Sequence, residues 1–117
     1  HYMFNHKLFD IMKKGVLFIN TARGGIVNTV DLLEALNNKT VSGAGLDVYE
    51  NERGIFFLNH LGTVIVDGLF EALRNQQNVI ITGHQGFLTK EALADIAQIT
   101  FSNIDKWENG EASPNDL

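Results

Sequence analysis

The stretch from Gly15 to Asn28, GVLFINTARGGIVN, constrains this chain more than any other. Val16 to Ile19 is an unbroken apolar run with β-branched residues and a glycine just before it, the pattern of a parallel strand buried on both faces. The run stops at a polar turn, Asn20 to Arg23, followed by Gly24 and Gly25. A permanently charged guanidinium therefore stands where a buried strand emerges at its carboxyl end. In open α/β sheets, that edge is where ligands bind.

The flanking sequence repeats the alternation. Asn5 is placed to cap a helix with Leu8, Phe9 and Met12 inward, Lys13 and Lys14 complementing its dipole and Gly15 stopping it. Asn28 is placed to cap a second helix, with Asp31 completing a capping box, Leu32, Leu33 and Leu36 inside, and an end at Asn37-Asn38. Val41 to Val48 reads as a second strand in which Gly43, Ala44 and Gly45 leave room for another backbone, a helix or a flat ligand. Tyr49 to Val66 is the least regular region, and loops of that length in compact domains are often functional. Asp67 is placed to cap a third helix with Phe70 and Leu73 inside, before the strand NVIIT from Asn78 to Thr82 and then Gly83-His84. Thr89 caps a long last helix to Asn109, stopped by Gly110, whose stripe of Leu93, Ile96, Ala97, Thr100, Ile104 and Trp107 reads as core. The tail holds Pro114, the sole proline. No repeat or linker divides the chain, so one folding unit is expected.

A chain of 117 residues has room for a modest core. With 44% hydrophobic and 20% charged residues and a formal charge of -5, it offers no electrostatic reason to bind nucleic acid or an anionic membrane. Cysteine is absent, which removes disulfides, thiolate metal sites and cysteine nucleophiles and leans the reading towards the cytoplasm. His1, His6 and His60 have no mutual metal-ligand spacing, so no metal site is expected. No apolar run approaches a membrane span, and no signal peptide is visible. Met3 lies inside the sequence, so His1-Tyr2 reads as the cut edge of a longer protein.

Three strands separated by helices imply parallel pairing with right-handed crossovers, which puts the carboxyl ends of all three at one edge. Arg23 follows the first strand, Asp47 closes the second with Glu50 and Glu52 just beyond, and His84 follows the third. A guanidinium presents a planar fork that fits a carboxylate, and a histidine beside a carboxylate can exchange a proton with a hydroxyl or carbonyl oxygen. Such a set suits a 2-hydroxy or 2-oxo acid, with any hydride supplied by a nicotinamide cofactor. Taken singly, each residue has a plainer account: a solvated loop arginine, a capping aspartate, a charge run at Glu50 and Glu52, a packed histidine.

The segment MKKGVLFINTARGGIVN, Met12 to Asn28, closely resembles the signature of the D-isomer-specific 2-hydroxyacid dehydrogenases. GLDVYENERGIFF and NVIITGHQGFLTKEAL look like the bacterial D-lactate dehydrogenase branch, and the similarity runs from about Asn5 through the PNDL tail. The resemblance implies the second half of a Rossmann-type doubly wound parallel sheet, α/β in class, plus a long C-terminal helix. Residues 1–87 would form the nicotinamide-side half of the dinucleotide-binding domain, and 88–117 the helix and tail returning to the substrate domain. It further implies NAD as cofactor and a small 2-oxo or 2-hydroxy acid, pyruvate or D-lactate, as substrate, in a family whose members are often homodimers. By the same resemblance Arg23 grips the substrate carboxylate, His84 is the acid/base, and Glu52 rather than Glu50 is its paired carboxylate. Thr21, Ala22 and Arg23 supply cofactor-side backbone contacts, Asp47 lies near the nicotinamide carboxamide, and Phe87 walls the substrate pocket.

The family's G-x-G-x-x-G fingerprint, which would cradle the pyrophosphate, is not in these 117 residues. The chain thus reads as the carboxyl-terminal third or so of an NAD-dependent D-lactate dehydrogenase. Two other readings stand beside it: a dehydrogenase-like co-repressor that uses the cofactor fold for protein contacts, and a catalytically silent fragment whose first strand lacks a neighbour.

Overall fold

The structure, a computed structural model, describes residues 1–62 and 64–113. The PNDL tail with Pro114 lies outside the described residues. The chain divides into two compact units, His1–Gln85 and Gly86–Leu117.

The first unit is built on three parallel strands, β1 (Val16–Asn20), β2 (Val41–Leu46) and β3 (Val79–Ile81), in the order β1-β2-β3. Asn20 pairs with Leu46, and Leu46 with Ile81, so all three strands end at one level. The shared carboxyl edge expected from the alternation is therefore present, and it sets out the three loops that carry the polar residues.

Helix α2 (Thr29–Asn37) packs on β2, and α3 (Gly68–Arg74) on β3. Asn28 caps α2 by accepting the Asp31 N–H at 3.2 Å. The reciprocal half of the expected capping box is not made, because the Asp31 carboxylate instead accepts the His6 N–H at 2.8 Å while the Asn28 N–H donates to the Phe4 carbonyl. Tertiary partners outcompete the local ones, and α2 is tied to the N-terminal segment as a result. Asp67 caps α3 as expected, accepting the N–H groups of Leu69 and Phe70, with Phe70 and Leu73 buried.

Two expectations need correction. Helix α1 (His6–Phe9) is a single turn capped by Asn5, so Lys13 and Lys14 lie beyond it, and Gly15, at φ +84°, turns the chain into β1. So short a helix has no macrodipole to complement and is held by burying Phe9 against Phe4 and Phe18. Strand β1, expected to be buried on both faces, alternates: Phe18 and Asn20 are buried, whereas Leu17 and Ile19 are about three-quarters exposed (75% and 72%). The apolar run is what a two-sided strand needs, but the helices of this unit pack on the other side from Leu17, Ile19 and Ile80.

The space at Gly43 is taken by protein. A Cβ there would lie 3.0 Å from the Asn78 carbonyl oxygen and 3.2 Å from a Leu17 methyl, so of the occupants expected at this strand it is a neighbouring backbone that approaches. The core gathers Phe9, Phe18, Leu32, Leu36, Val41, Leu46, Tyr49, Ile55, Phe70 and Leu73.

The second unit contains α4 (Lys90–Glu108), capped by the Thr89 hydroxyl accepting the Ala92 N–H. Gly110, at φ +68°, ends it: its N–H donates to the Trp107 carbonyl and that of Glu111 to Lys106, the paired bonds of a Schellman motif. The stripe expected as core is a correction, since α4 buries no residue and Leu93, Ile96, Ile104 and Trp107 are exposed. Periodicity reports that a helix has an apolar face, not that the face is buried. Among the described residues no helix is long and apolar enough to cross a membrane.

Candidate active site

The loop after β1 is fixed before its guanidinium is placed. Asn20 is buried (4% exposed), and its amide closes the turn from both ends: Oδ1 accepts the Ala22 N–H at 3.1 Å and Nδ2 donates to the Arg23 carbonyl at 3.0 Å. Thr21, Ala22 and Arg23 are exposed on this turn, and the Arg23 side chain donates to the Ala22 carbonyl at 2.7 Å. The next residue rests on the neighbouring loop, for a Cβ on Gly24 would lie 2.0 Å from the Tyr49 carbonyl carbon and 2.4 Å from the Glu50 nitrogen. Only a residue without a side chain permits that approach.

The loop after β2 holds the acids. Glu50 is engaged away from the imidazole, accepting the Tyr2 hydroxyl at 2.5 Å and the Thr29 N–H at 3.2 Å. The Tyr2 phenol is pushed to ionise at higher pH than usual, chiefly by that hydrogen bond to Glu50. Glu52, in a short 3-10 turn (Glu52–Gly54), divides its carboxylate: Oε2 accepts the Tyr49 N–H at 3.1 Å and Oε1 meets His84 Nδ1 at 2.9 Å. Neither glutamate is the solvated charge run that spacing alone allows. Arg23, Gly24, Glu50, Glu52 and Arg53 line one cavity of about 360 Å³.

His84 follows β3 in the left-handed region, at φ +59°, where a non-glycine residue needs support from its surroundings. Its N–H donates to the Asp47 carbonyl at 2.5 Å. The Asp47 carboxylate, 7% exposed, accepts the Thr82 hydroxyl at 2.5 Å and the Gln85 N–H at 2.8 Å, gripping the residues either side of the Gly83-His84 step. The Phe57 ring lies 5.9 Å from the imidazole. Because the Glu52 carboxylate can only accept, the neutral imidazole bonded to it carries its proton on Nδ1.

Of the residues singled out from sequence, the structure joins His84 to Glu52 directly and sets Arg23 on the cavity that Glu52 lines. Asp47 braces the His84 loop, and Phe87 lies in the second unit, half exposed. Sequence reasoning missed the bracing by Asn20, Gly24 and Thr82 and the ring of Phe57. The signal available was an amide, a second glycine and a hydroxyl at strand ends, where short polar residues commonly shape turns.

In the exposed main chain of Thr21 to Arg23, Asn20 takes the Ala22 N–H and the Arg23 carbonyl and the Arg23 side chain takes the Ala22 carbonyl, so the groups that suit the carboxamide of a nicotinamide at this edge are the Thr21 carbonyl and the N–H of Thr21 and Arg23. Asp47 fits that role in part, since its carboxylate is buried and already accepts two hydrogen bonds.

A three-stranded parallel sheet covered by helices, with its polar loops at the carboxyl edge, is an α/β fold of the kind that binds ligands at that edge. Residues 1–86 match the family described as D-isomer specific 2-hydroxyacid dehydrogenase, NAD binding domain, and the chain belongs to that family, with NAD as the cofactor of the domain. It is 44% identical to the D-lactate dehydrogenase of Escherichia coli over 117 residues, all of this chain and 36% of that protein. Among solved structures it is similar to the pyruvate reductase of Chlamydomonas reinhardtii, at TM-score 0.88 and 36% identity over 97% of this chain and 36% of the other. It is likewise similar to D-lactate dehydrogenase from Aquifex aeolicus complexed with NAD and lactic acid, at TM-score 0.82 and 34% identity over 95% and 34% of the two chains. The chain spans about a third of the length of these relatives.

Proposed function

We propose that the complete protein carrying this chain is an NAD-dependent D-2-hydroxyacid dehydrogenase that interconverts pyruvate and D-lactate in the cytoplasm. The observation that carries this is the 2.9 Å contact of His84 with Glu52, with Arg23 on the cavity that Glu52 lines. Arg23 binds the substrate carboxylate through its planar fork, orienting the 2-oxo group. Nicotinamide, when bound, supplies the hydride. His84 Nε2 holds the proton delivered to the carbonyl oxygen, while Glu52 on Nδ1 fixes the ring's orientation and its tautomer once that proton has left. The main chain of Thr21 to Arg23 and the edge position of Asp47 serve the carboxamide, and Phe87 walls the substrate pocket. Residues 1–87 act as the nicotinamide-side half of the binding domain, and 88–117 return to the substrate domain. The solved relatives support the substrate class, one being a pyruvate reductase and another holding NAD and lactic acid.

The test is NADH oxidation by the complete protein with pyruvate, with the configuration of the product read by a stereospecific assay. D-lactate formation is expected. NADH binding with no turnover of any 2-oxo acid would overturn the enzymatic reading and favour a co-repressor-like binding protein.

A further inference from the structure

We propose that Asn20 is the positioning residue that aims Arg23 at the substrate carboxylate, a role that rests on Arg23 being the anchor. Asn20 ends β1, is buried, and directs its whole side-chain amide at the Arg23 turn: it accepts from Ala22 N–H at 3.1 Å and donates to the Arg23 carbonyl at 3.0 Å. Its own carbonyl accepts the Asp47 N–H at 2.9 Å, so the same residue references the turn to the element that braces His84. An arginine side chain has many rotamers, and its reach is useful only if the backbone that launches it is fixed.

The chemistry explains why the residue is an amide. The two turn groups that Asn20 meets are a donor, the Ala22 N–H, and an acceptor, the Arg23 carbonyl, and asparagine carries one group of each kind on a two-carbon stem. Aspartate of the same shape would keep the first bond and set an oxygen against the Arg23 carbonyl. Serine can close the first bond, as hydroxyls do in such turns, but does not reach the second.

The experiment uses the complete dehydrogenase with Asn20→Asp, Asn20→Ser and Arg23→Lys, measuring KM for pyruvate, kcat and the NADH dissociation constant. Both Asn20 variants are expected to raise KM about tenfold at neutral pH, with kcat and NADH binding within about twofold. For Asn20→Asp the KM ratio to the unsubstituted enzyme at the same pH should narrow on acidification, because a protonated carboxyl can donate to the Arg23 carbonyl again. Asn20→Ser, which does not titrate, should show no such recovery and also serves if the aspartate variant fails to fold. A raised KM in Arg23→Lys with unchanged KM in both Asn20 variants overturns the positioning role alone. Equal losses in KM, kcat and NADH binding overturn it too, since they mark a residue that merely holds the fold. No effect of Arg23→Lys on KM overturns the anchor reading and this inference with it.

Discussion

His84 and Glu52, 32 residues apart in sequence, meet at 2.9 Å between Nδ1 and Oε1, and each is fixed by a further backbone bond of its own. The His84 N–H is bound to the Asp47 carbonyl, and the second Glu52 oxygen to the Tyr49 N–H. Neither side chain has to find the other, and in the proton-transfer role proposed above this pre-placement avoids an ordering cost.

The first prediction concerns that pair. Glu52→Gln keeps the shape but puts an amide, which can present either an oxygen or an NH2 to Nδ1, where a carboxylate only accepts, so the His84 ring is no longer held to one tautomer. The kcat of the complete enzyme for 2-oxo acid reduction should fall by roughly tenfold or more, with the KM for pyruvate within about twofold. An unchanged kcat removes Glu52 from the mechanism.

Arg23→Lys replaces a two-pronged donor by a point charge. We expect the KM for pyruvate to rise at least about tenfold, the loss of one charge-assisted hydrogen bond, with NADH affinity unchanged. Steady-state kinetics with NADH binding measured separately checks both halves.

Gly24→Ala places a methyl where the Tyr49-Glu50 peptide already lies. The two loops must part, with a cost of about 1–3 kcal/mol as for other overpacked sites. Thermal melts of the complete protein should show the loss, and the pyruvate KM should rise because the Arg23 loop moves relative to Glu52. A stable variant with native KM would show that the seam does not set the site.

Asp67 predicts a pH effect on stability. Its burial works against ionisation, but the N–H of Phe70, the Tyr49 hydroxyl, the Asn51 amide and the N–H of Leu69 outweigh it and hold the carboxyl below its ordinary range. Burial and the bond to Asp67 conversely push the Tyr49 phenol to ionise at a much higher pH than usual. Because the folded state lowers the Asp67 value, its contribution is complete above the unfolded carboxylate range of about pH 4 and disappears as pH falls through the lowered value. Asp67→Asn still caps α3 but does not titrate, so the stability gap between the two proteins should close on acidification. A gap that stays constant from neutral to acid pH would contradict this.

The 117 residues alone should be catalytically silent and prone to associate. Among the described residues β1 has only β2 as a strand neighbour, and Leu17 and Ile19 are exposed beside it. Size-exclusion chromatography across concentrations, together with NADH titration, checks this; a monodisperse monomer binding NADH tightly would refute it.

Much of this molecule is legible in its residues, because the signals are local. Asn28, Asp67 and Thr89 precede apolar periodicity and do cap helices, and the apolar runs around Phe18 and Ile80 are strands. What failed depended on partners elsewhere. Asp31 turned from Asn28 to His6, and among the described residues the apolar side chains at Leu17 and Trp107 are exposed. At the site, parallel alternation put Arg23, Asp47 and His84 at one edge, but choosing Glu52 over Glu50 rested on resemblance. The physical reason lies partly in distant contacts, since Tyr2 and Thr29 occupy Glu50, while the nearby Tyr49 N–H steadies Glu52.

The strand pairing Asn20↔Leu46↔Ile81 has a consequence for how the length of this polypeptide can change. One residue inserted within β2 would lift Asp47 and Glu52 off the level of Arg23 and His84 and turn the remaining side chains to the opposite face. Between Ile55 and Asp67 no such rule applies, because Glu52 is already fixed upstream and α3 restarts from its own cap. Insertions and deletions among relatives should accumulate in that interval and spare the strands.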